Sequence, residues 1–116
     1  MAYVQSPVFG EREPEPPEAL RSIELATEES GFTMASQPRQ GALLRTLAAS
    51  RPKSHLLELG TGTGLATAWL LDGMDSGSTL RTVDNDPGAV SIAREHLGAD
   101  PRATFVVTDN SPQLVA

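Results

Sequence analysis

Apolar residues follow no period through residues 1–16, where Pro7, Pro14 and Pro16 stand among charged positions, so this stretch is expected to be an extended arm. From Pro17 the spacing turns helical: proline suits a first turn, Leu20, Ile23 and Ala26 recur along one face, and Gly31 is a natural stop. A second helix is expected over residues 37–50, with Ser36 as N-cap and Leu43, Leu44 and Leu47 on its apolar face. The period then changes. His55 to Leu59 is a short apolar run, Leu65 to Leu71 resumes as an alanine- and leucine-rich helix, and three glycines lie between them. Thr79 to Val83 reads as a second strand, Asp86-Pro87 opens a helix reaching about Leu97 with Gly98 as its stop, and Ala103 to Val107 forms a third strand. Strands alternating with helices imply right-handed parallel crossovers, hence an α/β fold: the first three strands of a Rossmann-like, doubly wound parallel sheet, preceded by N-terminal helices and left incomplete. Residues 17–116 are therefore expected to form a single partial domain after the arm.

Length and composition narrow the picture. The 116 residues suit one small domain and are too few for two. Cysteine is absent, which rules out disulfides and thiolate metal sites and fits a reducing compartment, so the cytoplasm is the expected location. No run approaches the roughly 18 apolar residues of a membrane span, and the first residues lack the pattern of a signal peptide. Of the net charge of −6, residues 1–30 carry −5, with seven Glu against Arg12 and Arg21. An acidic chain without a basic stripe is a poor partner for nucleic acid, whose binding depends on Lys and Arg neutralising phosphates; the acidic start reads as a solvated face.

The chemistry concentrates at Glu58-Leu59-Gly60-Thr61-Gly62-Thr63-Gly64. In an open α/β sheet the ligand sits beyond the carboxyl ends of the strands, where the first turn feeds a helix. Gly60 and Gly62 can take dihedrals closed to other residues and admit a ligand to the main chain, while Gly64 lets the next helix lie close to the strand; a purely structural tight turn would use one or two such glycines. A dinucleotide fingerprint would place its third glycine at position 65, which is Leu65, and no Gly-Lys-Ser/Thr follows to make a phosphate loop.

These residues resemble the first motif of class I S-adenosylmethionine-dependent methyltransferases, in which an acid followed by alternating glycines wraps the methionine part of the cofactor. The resemblance implies cofactor-binding roles for Glu58, Gly60, Thr61, Gly62 and Gly64. It extends to Asp84-Asn85 at the end of the second strand, where the family has an acid that accepts both ribose hydroxyls; a carboxylate suits two adjacent donors, and Asp86 is better placed than Asp84 to cap the following helix. It extends also to Asp109-Asn110, where the family receives the adenine amino group, although an Asp-Asn pair equally makes a solvent-exposed turn. More narrowly, the stretch from Gly31 to Leu44 is similar to O-methyltransferases of the catechol and caffeoyl-coenzyme-A type, which implies that Met34 and Ser36 cover the methionine end; core gap-filling accounts for Met34 equally well. The chain departs from that family at Leu65 and Ala66, where an aromatic and a serine are common.

The implied activity is S-adenosylmethionine-dependent O-methylation of a small molecule, with this chain carrying the cofactor-binding half. The family's divalent metal ligands and acceptor-binding groups lie after its fourth and fifth strands, so no catalytic residue and no metal ligand is assigned here. His55 and His96 stand apart from other ligands, and Trp69 reads as a packing residue. A sheet of three strands would leave Leu56, Leu57 and Leu59 beside an unpaired edge, so self-association or a missing C-terminal half is expected to complete it. Two alternatives stay open: a non-catalytic nucleotide-binding or interaction module of the same fold, and an NAD-binding domain of an oxidoreductase.

Overall fold

The structure is a computed structural model that describes residues 14–32 and 38–109. Helix α1 spans Leu20–Glu29, α2 Pro38–Ala49, strand β1 His55–Leu59, α3 Leu65–Gly73, β2 Thr79–Asp84, α4 Pro87–Leu97 and β3 Ala103–Val107. The strands form a parallel sheet in the order β1-β2-β3, with Leu57 level with Arg81 and Thr82 level with Phe105. The expected strands at 55–59 and 103–107 are found at those limits, and β2 gains Asp84. Ser36, the expected cap of α2, lies outside the described residues.

Side chains alternate across a sheet, and here the alternation separates the core face from one that is covered at Val83 but open along β1. Leu56, Leu80, Ala103 and Phe105 face the core, which also takes Leu20 and Ile23 from α1, Ala48 from α2, Leu65, Ala68, Trp69 and Leu71 from α3, and Leu97 from α4. Ile23 and Leu80 are essentially fully buried, each contributing about 1.5–3 kcal/mol from burial. On the other face Leu57 and Leu59 are 53% and 64% exposed, beside Arg81 and Thr104. β1 is an edge strand among the described residues.

The apolar face expected of α2 is not the one that docks. Leu43 and Leu47 are exposed, whereas Gly41 and Ala48 are buried and Arg45 sets its guanidinium 4.8 Å from the Trp69 ring centroid. α2 crosses α3 so closely that a Cβ at Gly41 would overlap the Trp69 pyrrole and one at Gly73 would overlap the Arg45 carbonyl. Close crossing selects small residues, so Leu43 and Leu47 are turned outward and Leu44 is only half-buried. One helix limit also differs from expectation: α1 begins three residues beyond Pro17, whose carbonyl accepts the Leu20 N–H. α4 ends at Leu97 with Gly98 as its stop, as expected, though at φ −68 rather than left-handed.

Candidate functional site

The turn from Gly60 to Gly64 starts where β1 runs out of partners on β2. The N–H groups of Gly60 and Thr61 both donate to the Val83 carbonyl, at 2.7 and 3.2 Å. The chain then reverses through three left-handed glycines, Gly60 at φ +95, Gly62 at +56 and Gly64 at +101, a region that costs a residue with a Cβ roughly 1 kcal/mol or more. A Cβ on Gly60 or Gly62 would meet nothing within 4 Å, so both face open space. Gly64 differs from expectation in what it approaches. A Cβ there would lie 2.9 Å from the Ala93 Cβ, so its bareness lets α4, rather than the preceding strand, come close.

Asp84 connects the turn to the next helix. Its Oδ2 accepts the Gly62 N–H at 2.7 Å and its Oδ1 accepts the Asp86 N–H at 3.0 Å. Each carboxylate oxygen has two lone pairs, so Asp84 is held in place with capacity on both oxygens left over. Asp86 does the capping: its Oδ1 accepts the N–H groups of Gly88 and Ala89 at 3.0 and 3.1 Å, with Pro87 in the first turn.

Behind the turn runs a buried chain of hydroxyls ending on Glu58. Thr67 and Thr82 donate to Glu58 Oε1 at 2.6 and 2.7 Å, and since Thr82 spends its proton there, Thr61 is the donor in the 2.6 Å bond between their hydroxyls. Burial pushes the Glu58 carboxyl above the usual carboxylate range; the two threonine hydrogen bonds oppose that rise and the neighbouring Asp84 charge adds to it. A second link joins α1 to the turn, with Thr27 and Thr63 hydrogen-bonded at 2.8 Å through their side chains.

These elements enclose an open-sided cavity of about 300 Å³ lined by the turn from Gly60 to Thr63, by Leu65 and Ala66 at the start of α3, by Asp84 to Asp86 and Ala89, and by Phe32. Of the residues singled out in the sequence, Gly60, Thr61, Gly62, Asp84 and Asn85 thus come together on one wall. Glu58 and Gly64 support that wall from behind without lining it, and Asp109 follows β3 outside the lining. Met34, Ser36 and Asn110 lie outside the described residues. Sequence reasoning missed Phe32, Thr63 and Ala89 as lining residues. Phe32 lies directly after the Gly31 stop, in the stretch where the resemblance pointed to Met34 and Ser36 instead. The departures at Leu65 and Ala66 fall on the cavity wall itself.

The histidines remain apart from the site: His55 Nδ1 pairs with Thr79 Oγ1 at 2.7 Å and His96 Nδ1 with the Ile92 carbonyl at 2.9 Å. Trp69 is 1% exposed, a core residue. Among the described residues no group of three or more acidic, His or Cys side chains could hold a metal ion, and no helix is long and apolar enough to cross a membrane.

Parallel strands, a glycine turn feeding a helix and an acid closing the second strand together define the Rossmann-like fold of methyltransferases, here with the sheet incomplete. In sequence the chain is similar to O-methyltransferases: it is 32% identical over 84 residues to a protein of Mycobacterium sp. (strain JLS) classed by name with them, a match that covers 70% of this chain and 38% of that protein. A Mycobacterium tuberculosis (strain ATCC 25177 / H37Ra) protein of the same name matches equally, at 32% over 84 residues. Among solved structures, the O-methyltransferase TomG from Streptomyces achromogenes, in complex with SAM, superposes with a TM-score of 0.74 at 26% identity, over 86% of this chain and 47% of its own. An O-methyltransferase from Bacillus cereus in complex with SAH superposes with a TM-score of 0.73 at 22% identity, over 84% of this chain and 46% of its own, a likeness of fold. No family model matches the chain. The chain spans 38% of the length of the curated relatives it matches first.

Proposed function

We propose that this chain is the S-adenosylmethionine-binding part of an O-methyltransferase that acts on a small molecule. The observation that carries the reading is Asp84, fixed by two backbone N–H groups at the cavity wall with a lone pair to spare on each oxygen. In this reading Asp84 accepts the two ribose hydroxyls and Asn85 lies beside the sugar. Gly60, Thr61 and Gly62 form the bare wall along which the methionine part lies. Glu58 and Gly64 hold that wall in shape, while Met34, Ser36, Asp109 and Asn110 are proposed to close over the two ends of the cofactor. When bound, S-adenosylmethionine supplies a methyl group on a positively charged sulfur. A cavity walled by Asp84 and Asp86, with no Lys or Arg among the described lining residues, suits that cation. It suits an NAD pyrophosphate poorly, all the more because the Gly62 N–H that would meet a phosphate is occupied by Asp84.

The acceptor pocket and any divalent metal site are assigned to polypeptide outside these 116 residues, as is whatever covers Leu57 and Leu59 and pairs with the β1 edge. That cover is either the remainder of a longer enzyme or a second copy of the chain. Nucleic acid and membrane surfaces are not proposed as partners, and the cytoplasm is the proposed location.

Titration calorimetry with S-adenosylhomocysteine tests the reading. The chain should bind it, and Asp84→Ala should weaken binding about a hundredfold, as expected when two charge-assisted hydrogen bonds of about 1.5 kcal/mol each are lost. Equal affinity of the two proteins would refute the assignment, and binding without methyl transfer in any longer form would support the non-catalytic module instead.

A further inference from the structure

We propose that Phe32 is a specificity-determining wall of this cavity that packs against the adenosine portion of the ligand, an inference that rests on the cofactor reading above. Phe32 is only half-buried and belongs neither to the hydrophobic core nor to the apolar residues packed on it. Its ring lines the cavity instead. A large aromatic side chain left out of the core gains its burial only when something flat and apolar covers it.

Its placement is built in by the end of α1. Gly31, left-handed at φ +79, closes the helix with its N–H on the Glu28 carbonyl at 3.2 Å, and the Phe32 N–H returns to the Thr27 carbonyl at 3.1 Å. This pair of bonds is a Schellman motif, which fixes the direction of the residue after the glycine. The same Thr27 is fully buried and joins its hydroxyl to Thr63 on the glycine turn. The helix end that aims Phe32 is therefore tied to the opposite part of the cavity lining. A Cβ at Gly88 would lie 3.6 Å from the Phe32 Cζ, so the ring rests over the bare first turn of α4, next to the Asp86 cap.

That position decides which part of the ligand the ring meets. Phe32 lies on the side of Asp84, Asn85, Asp86 and Ala89, where the sugar and its attached base are assigned. The end of α1 thereby fixes the direction of a ligand contact that lies three residues beyond it.

The test uses the full 116-residue chain and two ligands, S-adenosylhomocysteine and 5′-methylthioadenosine, which keeps the adenosyl thioether and lacks the amino-acid end. Phe32→Ala should weaken both by the same factor, about tenfold, while Phe32→Tyr binds both as the wild type does. Should the alanine variant fail to fold, Phe32→Leu, which keeps apolar volume without the aromatic face, should weaken both ligands equally by a smaller factor. Unchanged affinity in the alanine or leucine variant, or a loss confined to S-adenosylhomocysteine, overturns the inference while leaving the cofactor reading intact. Failure of the wild type to bind either ligand overturns both.

Discussion

Two polar networks sit at opposite ends of the sheet, and they differ in what remains unspent. At the amino ends of the strands, Arg102 uses every N–H of its guanidinium. Nε and one Nη donate to the two Asp100 oxygens at 3.0 and 2.7 Å, and the remaining donors cap α3 through the carbonyls of Leu71, Met74 and Asp75. Asp75 nearby takes the Ser78 hydroxyl at 2.7 Å and the Lys53 N–H at 3.0 Å. A second cavity adjoins Arg102 and Asp100, and there the guanidinium is fully committed to partners within the fold. At the carboxyl ends Asp84 is oriented just as firmly, but only half of its accepting capacity is used. What marks the binding site is hydrogen-bonding capacity that is firmly aimed at the cavity and still spare.

The sharpest way to break this comparison is to remove Arg102. Arg102→Ala strips the cap from the last turn of α3 and leaves Asp100 without its partner, so unfolding by urea should show a loss of about 2–4 kcal/mol. The affinity of the folded protein for S-adenosylhomocysteine should stay within twofold. A large affinity change with little stability change would reverse the roles assigned to the two ends.

Glu58 gives the next largest effect, because it is a buried acceptor belonging to the site's support. Glu58→Ala leaves the Thr67 and Thr82 hydroxyls without their acceptor and should cost about 1–3 kcal/mol. Glu58→Gln keeps an amide oxygen for both hydroxyls and should retain cofactor affinity, which a direct charge contact with the ligand would not allow. The pH dependence has a definite sign. Burial raises the folded-state pKa of Glu58 above its ordinary value of 4.5, so just above that value the native protein holds a proton that the unfolded chain has lost. Stability contributed by this group is therefore full below pH 4.5 and declines as pH rises through the folded pKa. The stability of Glu58→Gln relative to wild type should accordingly rise across that window and then level off, as urea midpoints at pH 4 and pH 7 would reveal.

The smallest expected effect sharpens the picture at the cavity wall. Ala66 lines the site, at the position where the family resemblance implies a serine. Ala66→Ser should add one hydrogen bond to the amino-acid end of the ligand, about 1 kcal/mol or roughly fivefold in affinity for S-adenosylhomocysteine, with no gain for 5′-methylthioadenosine. Equal gains for both ligands would place Ala66 beside the adenosine instead.

Much of this was legible along the chain because the signals are local. The short apolar runs His55–Leu59 and Ala103–Val107, the Asp86-Pro87 cap and the glycine spacing each depend on residues within a few positions of one another. Other features were hidden because they depend on partners distant in sequence. α2 advertises Leu43 and Leu47, yet its docked face follows Gly41 and Ala48, a choice made by the bulk of Trp69 on α3. Gly64 is bare because Ala93, 29 positions on, comes within 2.9 Å of where its Cβ would be.

The sequence by itself determined the strand and helix order, the parallel topology and the identity of Asp84 as the acid that closes the second strand, since patterning and turn chemistry act at short range. Only the tertiary structure decided that Glu58 faces threonines rather than the cavity, that the end of α1 aims Phe32 at the wall, and that Asp84 is half-saturated by backbone N–H groups. Those outcomes depend on which hydrogen-bond partner is nearest once the helices have packed, and packing joins residues such as Thr27 and Thr63 that lie 36 positions apart.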